Sequence, residues 1–343
     1  MKSTKLLVSA LTLALSTSVM ANDKVILKIG HFLPALSTMH SQVIEPWCKD
    51  LNTQSQGLIE CQFYPSNQLG GTPAQLIDQV RNGVADIVWT APGYTSGRFK
   101  IIEGLENPLL FPNADVGNKV AWEYFEKYAK DTEFKPFKML ALHTDGGVTF
   151  HSNKPITQVD DLKGLKLRTP TRLASQIIQA LGGSAIAIPP AQVAESVSKG
   201  VVDGAMGAWE VVPPSKLDEV TKYHVMPSAG EPFPTVTVLM LVMNQQKYNR
   251  LPEDLKQIID RNSGSVLGER IAAAWKIAED DARKRVLDNN GVISEFGPEQ
   301  TEKMRQLTKT INQNWTMEMS KLGKDGQAML EDLQQMVRSS SQP

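Results

Sequence analysis

The decapeptide Asp161-Leu162-Lys163-Gly164-Leu165-Lys166-Leu167-Arg168-Thr169-Pro170 sets the frame for the rest of the chain. Leu165 and Leu167 alternate with Lys166 and Arg168, the period-two pattern of a short strand with one buried face. Thr169-Pro170 ends it, because proline has no N–H for a sheet ladder and restricts the residue before it. Arg168 is therefore the last side chain of a strand with apolar neighbours. In open α/β sheets ligands sit outside the carboxyl ends of strands. A guanidinium there offers a fixed fork of donors to a carboxylate and stays charged. Taken alone, the same arginine reads first as an ordinary strand-end residue paired with an acid across the surface, and the rest of the chain has to supply the case for a ligand.

Outward from Arg168 the chain alternates. A helix over Arg172–Leu181, a strand over Ala185–Ile188, a helix over Ala191–Lys199 and a strand over Val202–Met206 follow it. A similar series precedes it: strand Lys24–His31, helix Ser41–Ser55, strand Leu58–Tyr64, a helix from Thr72 or Pro73 to Gly83, and strand Ala85–Thr90. Such alternation indicates βαβ units and mostly parallel sheets. The two series echo each other: Gln79-Val80-Arg81-Asn82-Gly83-Val84-Ala85-Asp86 matches Ser196-Val197-Ser198-Lys199-Gly200-Val201-Val202-Asp203 as helix, glycine, strand and aspartate. Two lobes of like architecture would give this pattern. Asp86 and Asp203 read as acceptors of backbone N–H groups at a turn, not as catalytic acids.

Between the series, a helix runs from about Val116 to Lys130, and Lys138–Ser152 reads as two strands broken at Gly146-Gly147, a crossing between lobes. Thr235–Met243 is a long apolar strand returning to the first lobe. From Pro252 the chain is mostly helical, with a short strand near Val292–Phe296. A helix over Glu253–Leu287 would be about 50 Å long, so it spans both lobes or kinks. The expected partition is a signal segment over 1–21, one lobe over 22–146 with about 235–270, and a second over 147–234 with about 271–343.

A hydrophobic content of 41% and a charged content of 21% describe a globular chain with ample core. The formal net charge of −1 argues against nucleic acid as a partner, which would need a basic face. Lys2, Lys5, the apolar run Leu6–Leu15 and Val19-Met20-Ala21 form a secretory signal pattern, which implies the periplasm. No other stretch is long and apolar enough for a membrane span, so the protein is not expected to be membrane-inserted. The two cysteines, Cys48 and Cys61, fall on a helix and its following strand, and an oxidising compartment favours a disulfide between them over two buried thiols. Neither they nor the five histidines show metal-ligand spacing.

The strand ends collect His31 and Phe32, Trp89, Gly207 to Trp209, and Arg168, with Tyr94 and Phe233 in adjoining loops. That set resembles a small-molecule pocket with apolar walls and few polar groups. There is no nucleophile–base motif, P-loop or dinucleotide fingerprint, so neither a catalytic residue nor a cofactor is expected.

Tyr64-Pro-Ser-Asn-Gln-Leu-Gly70, Gly83-Val-Ala-Asp86, Leu162-Lys-Gly-Leu-Lys-Leu-Arg-Thr-Pro170, Gly200-Val-Val-Asp-Gly204, Asn244 and Leu251-Pro-Glu-Asp-Leu255 occur here in a telling order. The combination resembles the DctP-type extracytoplasmic solute-binding proteins of TRAP transporters over nearly the whole chain after the signal pattern. The resemblance implies a two-lobed α/β binding protein with mixed sheets and a long helix bracing both lobes. It also implies a cleft that closes on an organic acid and delivery to a sodium-coupled membrane permease. In that family the carboxylate-binding arginine sits in this same Leu-Lys-Leu-Arg-x-Pro motif, which assigns the role to Arg168.

The chain departs from sialic-acid-binding members. Gly146-Gly-Val-Thr-Phe150 lacks their second arginine, and Ala205-Met-Gly-Ala-Trp209-Glu210 lacks their asparagine. A less polar, more aromatic cleft follows, suited to a compact or aromatic monocarboxylate, hydroxylated and keto acids included; a sulfonate would satisfy the same arginine. Trp209, Phe233, Trp89, Tyr94, Phe32 and Gly207 are the candidate walls, His31 a candidate hydrogen-bonding group, and Glu210 a candidate partner for Arg168 in the empty cleft. A monomer is expected. The competing classes are a sensor subunit that presents its closed form to a receptor and a periplasmic lyase or isomerase using His31 with a carboxylate; turnover of bound ligand separates the last.

Overall fold

The structure, a computed structural model, describes residues 24–341, and the expected signal segment lies outside them. Strands β1 (Val25–His31), β2 (Ile59–Tyr64) and β3 (Ile87–Thr90) pair in parallel, with β1 between the other two. Helices α1 (Glu45–Gln54) and α2 (Leu76–Arg81) make the crossovers. α1 continues directly from a wider π turn over Met39–Ile44 that carries His40. Cys48 on α1 and Cys61 on β2 are joined by a disulfide, with Cα atoms 6.1 Å apart. Helix α3 (Ala114–Tyr124) starts on the Asn113 side chain, which accepts from the Val116 N–H, and a π turn over Phe125–Ala129 prolongs it.

β4 (Phe137–Thr144) completes the first half, and β5 (Thr149–Ser152) already belongs to a second sheet. That sheet takes β6 (Lys166–Thr169), β7 (Ser184–Ala187), β8 (Gly204–Gly207) and β9 (Tyr223–Pro227), linked by α4 (Arg172–Ala180), α5 (Val193–Ser198) and α6 (Leu217–Val220). β10 (Val238–Asn244) returns to the first sheet and lies antiparallel between β3 and β4, giving the order β2-β1-β3-β10-β4. Every residue of β10 is buried, as a central strand covered on both faces must be. With β11 (Val292–Phe296) the second sheet reads β11-β9-β5-β8-β6-β7. β9 has no counterpart among the expected strands: its sequence Tyr223-His-Val-Met-Pro227 mixes polar and apolar residues without alternation and ends on proline.

The echo between the two series is structural. Asp86 Oδ2 accepts from the Lys28 N–H at 2.9 Å, and Asp203 Oδ2 accepts from the Lys166 N–H at 2.8 Å. Each aspartate thus locks a helix–glycine–strand turn onto the neighbouring strand, in the first sheet and in the second.

The chain passes between the sheets three times, from β4 to β5, from β9 to β10 and from β10 onward to a last strand at Val292–Phe296, and the first two crossings pair with each other. Asp145 donates its N–H to the Thr237 carbonyl (3.1 Å) and Val148 to the Thr235 carbonyl (2.9 Å). Gly147 has φ +147°, and a Cβ there would stand 2.1 Å from the Phe233 ring, so both backbone and space require glycine.

The long helix expected over Glu253–Leu287 is broken. α7 (Gln245–Asn249) and α8 (Glu253–Arg261) end in a turn at Asn262–Gly264, where Gly264 takes φ +72° and donates to the Leu140 carbonyl at 2.7 Å. The Trp47 indole N–H holds the Asn262 carbonyl at 2.8 Å. α9 (Ser265–Asp288) then runs about 36 Å alone. Its first half buries Leu267, Ile271 and Trp275 in the core of the first sheet, and its second half buries Ala282 and Val286 beneath the second. α10 (Pro298–Lys321) does the reverse, with Met304 and Ile311 in the second core and Trp315 and Met319 in the first. α11 (Gly326–Ser340) adds Met329, Leu330 and Leu333 to the first core. The chain after 271 is therefore not a block of the second lobe, as the expected partition has it; apolar spacing does not tell a sequence reader which sheet a helix face covers.

Candidate ligand-binding site

Between the sheets lies a cavity of about 40 Å³, on a scale where one water takes about 10–15 Å³. Phe32, Leu33, Trp89, Tyr94 and Leu239 line it from the first lobe, and Arg168, Met206, Gly207, Glu210 and Val211 from the second. Asp145, on the first crossing, closes it at the hinge. Tyr94, Arg168, Pro170 and Pro190 also face an outer groove of about 610 Å³, so they form the partition between the cavity and the cleft mouth.

Arg168 is penultimate in β6, one residue before the strand's end, and is 6% exposed. Its Nε donates to the Ile188 carbonyl (2.9 Å) and one terminal nitrogen to the Met206 carbonyl (3.2 Å), which fix the plane of the guanidinium. Among the described residues no carboxylate stands within ion-pair distance of it, so Glu210 is not its partner. Burial works against the Arg168 charge, and the facing Tyr94 side chain supports it. Burial in turn pushes the Tyr94 hydroxyl up to about 12, so Tyr94 stays a neutral phenol. A buried cation whose N–H groups are only partly used is costly unless an anion joins it.

The apolar wall is a stack. Phe32 lies over Trp89 with ring centres 4.8 Å apart, and Tyr94 meets Phe32 edge-on at 5.3 Å. The Trp89 indole N–H donates to His143 Nε2 at 3.0 Å, which anchors the stack in the first sheet.

Three of the expected site residues lie elsewhere. His31 is fully buried, its Nε2 2.7 Å from His40 Nδ1, and His40 Nε2 is 3.0 Å from Glu45. Burial and the neighbouring His40 lower the His31 imidazole to about 3; it is a neutral core group that does not line the cavity. Trp209 turns away from the cavity, its ring packed on His151 (5.2 Å) and His224 (5.6 Å), with the Arg283 guanidinium 6.0 Å from its centre. Phe233 covers Gly147 at the crossing and is absent from the cavity wall. For His31 and Trp209 the strand end was placed correctly and the direction of the side chain was not; Phe233 lies in the loop expected for it but covers the crossing.

One carboxyl near the cleft, Glu106, was not legible in the sequence. Glu106 is buried on the first lobe, its Oε1 accepting from the Val238 N–H at 3.1 Å while its Oε2 has no hydrogen-bond partner among the described residues. Burial raises it from near 4.5 to about 8. The folded protein therefore holds a proton on Glu106 that the unfolded chain releases between those values. The stability linked to that proton is full below about pH 4.5 and is lost as pH rises through about 8. We expect the melting temperature to fall between pH 6 and pH 9 and Glu106→Gln to flatten that slope. Parallel slopes in the two proteins would show that Glu106 does not bear the proton.

The comparisons with known proteins agree with this geometry. The family described as bacterial extracellular solute-binding protein, family 7 (DctP), matches residues 29–318. A TRAP solute-binding protein from Rhodoferax ferrireducens, solved with copurified benzoate, superposes with a TM-score of 0.89 at 34% identity, covering 93% of this chain and 99% of that one. One from a marine metagenome, specific for aromatic acid ligands and solved with 3-hydroxybenzoate, has a TM-score of 0.90 at 33% identity over 93% and 100%. A Bordetella bronchiseptica relative with bound (R)- and (S)-mandelate has 0.83 at 26% identity over 92% and 99%. Members of the family bind substrates, and their structures share this two-lobed α/β plan. The chain belongs to the DctP family of solute-binding proteins, the periplasmic organic-anion-binding components of TRAP transport systems.

Proposed function

We propose that this protein captures a compact aromatic monocarboxylate in the inter-lobe cavity and delivers it to a sodium-coupled membrane permease. In this reading Met1–Ala21 directs export, the mature protein works as a monomer in the periplasm, and it carries out no chemistry on its ligand. The observation that carries the reading is the buried, acid-free Arg168 guanidinium beside the Phe32–Trp89–Tyr94 stack. Arg168 takes both carboxylate oxygens of the ligand, and the Tyr94 hydroxyl supports the same anion. The ring lies against Phe32 and Trp89, where apolar burial contributes at ~25 cal/mol per Å². Relatives that bind benzoate, 3-hydroxybenzoate and mandelate support an aromatic acid over a sugar acid.

Closure follows from the contacts. The ligand bound to Arg168 alone leaves its ring wet; bringing the first lobe over it buries the ring and excludes water from the ion pair. The outer groove past Tyr94 and Pro190 is the entry path. A thermal-shift screen of aromatic, aliphatic and sugar acids tests the proposal, since a ligand that binds only the folded protein raises its melting temperature. Benzoate-like acids are expected to give the largest rise. A shift confined to sugar acids would overturn the aromatic reading.

A further inference from the structure

We propose that the Glu210 carboxyl is the second polar anchor of this cavity and accepts a hydrogen bond from a hydroxyl on the ligand's ring, so that the cognate ligand is a hydroxylated aromatic acid. The inference rests on the reading of Arg168 as the carboxylate site. Glu210 sits on the 3-10 turn Trp209–Val211 that follows β8, on the same lobe as Arg168. It is 5% exposed and lines the cavity, yet it makes no ion pair with Arg168. Its Oε2 is buried with no hydrogen-bond partner. An unsatisfied buried carboxyl oxygen is destabilising; the Trp275 indole N–H lies near this carboxyl, yet both it and Oε2 lack a hydrogen-bond partner among the described residues. A ligand hydroxyl supplies the missing donor.

The charge state suits that role. Burial, with the nearby Asp145 and Glu279, pushes Glu210 well above the usual carboxylate range. A protonated Glu210 does not repel an anionic ligand, and its carbonyl oxygen still accepts. A second carboxylate on the ligand would find no second cation in this wall. The site therefore distinguishes a ring hydroxyl, which donates, from fluorine or hydrogen, which do not. Leaving a built polar site without its ligand partner is a stronger discriminator than a change in apolar area.

Calorimetry on the wild-type protein with benzoate, the three hydroxybenzoates and the matching fluorobenzoates tests this without any substitution. At least one hydroxybenzoate is expected to bind tenfold or more tighter than benzoate, with its fluoro analogue close to benzoate. In Glu210→Leu the preference for that hydroxybenzoate over benzoate should fall to near unity, and Glu210→Gln, which keeps an acceptor, should retain part of it. Benzoate binding with no preference for any hydroxylated isomer would overturn this inference and leave the proposed function standing. Failure of every aromatic acid to bind would overturn both. An unchanged preference in Glu210→Leu would move the hydroxyl elsewhere in the cavity.

Discussion

Replacing Arg168 with alanine is expected to weaken acid binding by about 2–5 kcal/mol, roughly 30- to 5000-fold in Kd. The reason is asymmetry. In the wild-type protein the guanidinium is already desolvated and oriented by the Ile188 and Met206 carbonyls, so the ligand carboxylate meets a pre-positioned fork. In the alanine variant the same carboxylate enters a wall of aromatic rings and carbonyl oxygens with no cation to receive it. Arg168→Lys should recover only part of the loss, because an ammonium cannot hold two carboxylate oxygens in one plane. Removing a buried, unpaired charge also relieves the folded protein, so the ligand-free melting temperature should not drop in step with affinity. Calorimetry reads the first effect and a melt the second; wild-type affinity in Arg168→Ala would remove this residue from the site.

Gly93→Val is expected to hold the cleft open and to weaken binding by about 30- to 100-fold, although residue 93 touches the far side of the partition and not the ring stack. Gly93 stands on the first lobe in the turn Pro92–Tyr94. A Cβ built there meets Thr171 Cγ2 at 2.7 Å and Thr171 Cβ at 3.0 Å, and Thr171 caps α4 on the second lobe. The Gly93 backbone does not need a positive φ; the added Cβ clashes with Thr171 across the cleft, a clash relieved when the lobes part, and also stands 3.2 Å from Glu106 Oε1 on its own lobe. Next to it, Arg172 bridges to Glu103 and Glu318 on first-lobe elements, a contact that opening would also break. Small-angle scattering should show a larger radius of gyration for Gly93→Val, with a muted contraction on adding ligand. Thr171→Ala should restore part of the binding in the Gly93→Ala background, and a strictly additive cycle would mean the two residues do not meet in the bound form. Wild-type affinity and contraction in Gly93→Val would sink the lobe-closing account.

Much of this architecture was legible in the sequence because it follows from local rules. Alternation around Leu165 and Leu167 marks β6, the Gly146-Gly147 pair marks the crossing, and the Gly-Val-x-Asp turns mark the repeated plan. The arginine at the end of β6 was legible for the same reason: strand ends converge by topology. What escaped was set by side-chain direction and by distant partners. Trp209 follows a correctly located strand, but its ring turns toward His151, His224 and the far half of α9, none of them near it in sequence. The break at Gly264 depends on the Leu140 carbonyl and on Trp47, both more than a hundred residues away. Glu106 looks like an ordinary surface acid in the sequence and Glu210 like a partner for Arg168; burial instead raises both carboxyls above their usual range, and of the two Glu210 lines the cavity.

The two long helices have a consequence for how the molecule comes apart. α9 and α10 each spend one half in either core, and Trp275 and Trp315 are both sunk in the first. Neither lobe, cut free of the other, could keep these helices without exposing half of an apolar face to water. Heating or denaturant should therefore melt both lobes in a single transition, whichever lobe a destabilising change falls in. The part that swings in use and the part that must hold still are one cooperative unit, so a cavity made under β11 should be felt as lost stability at β1.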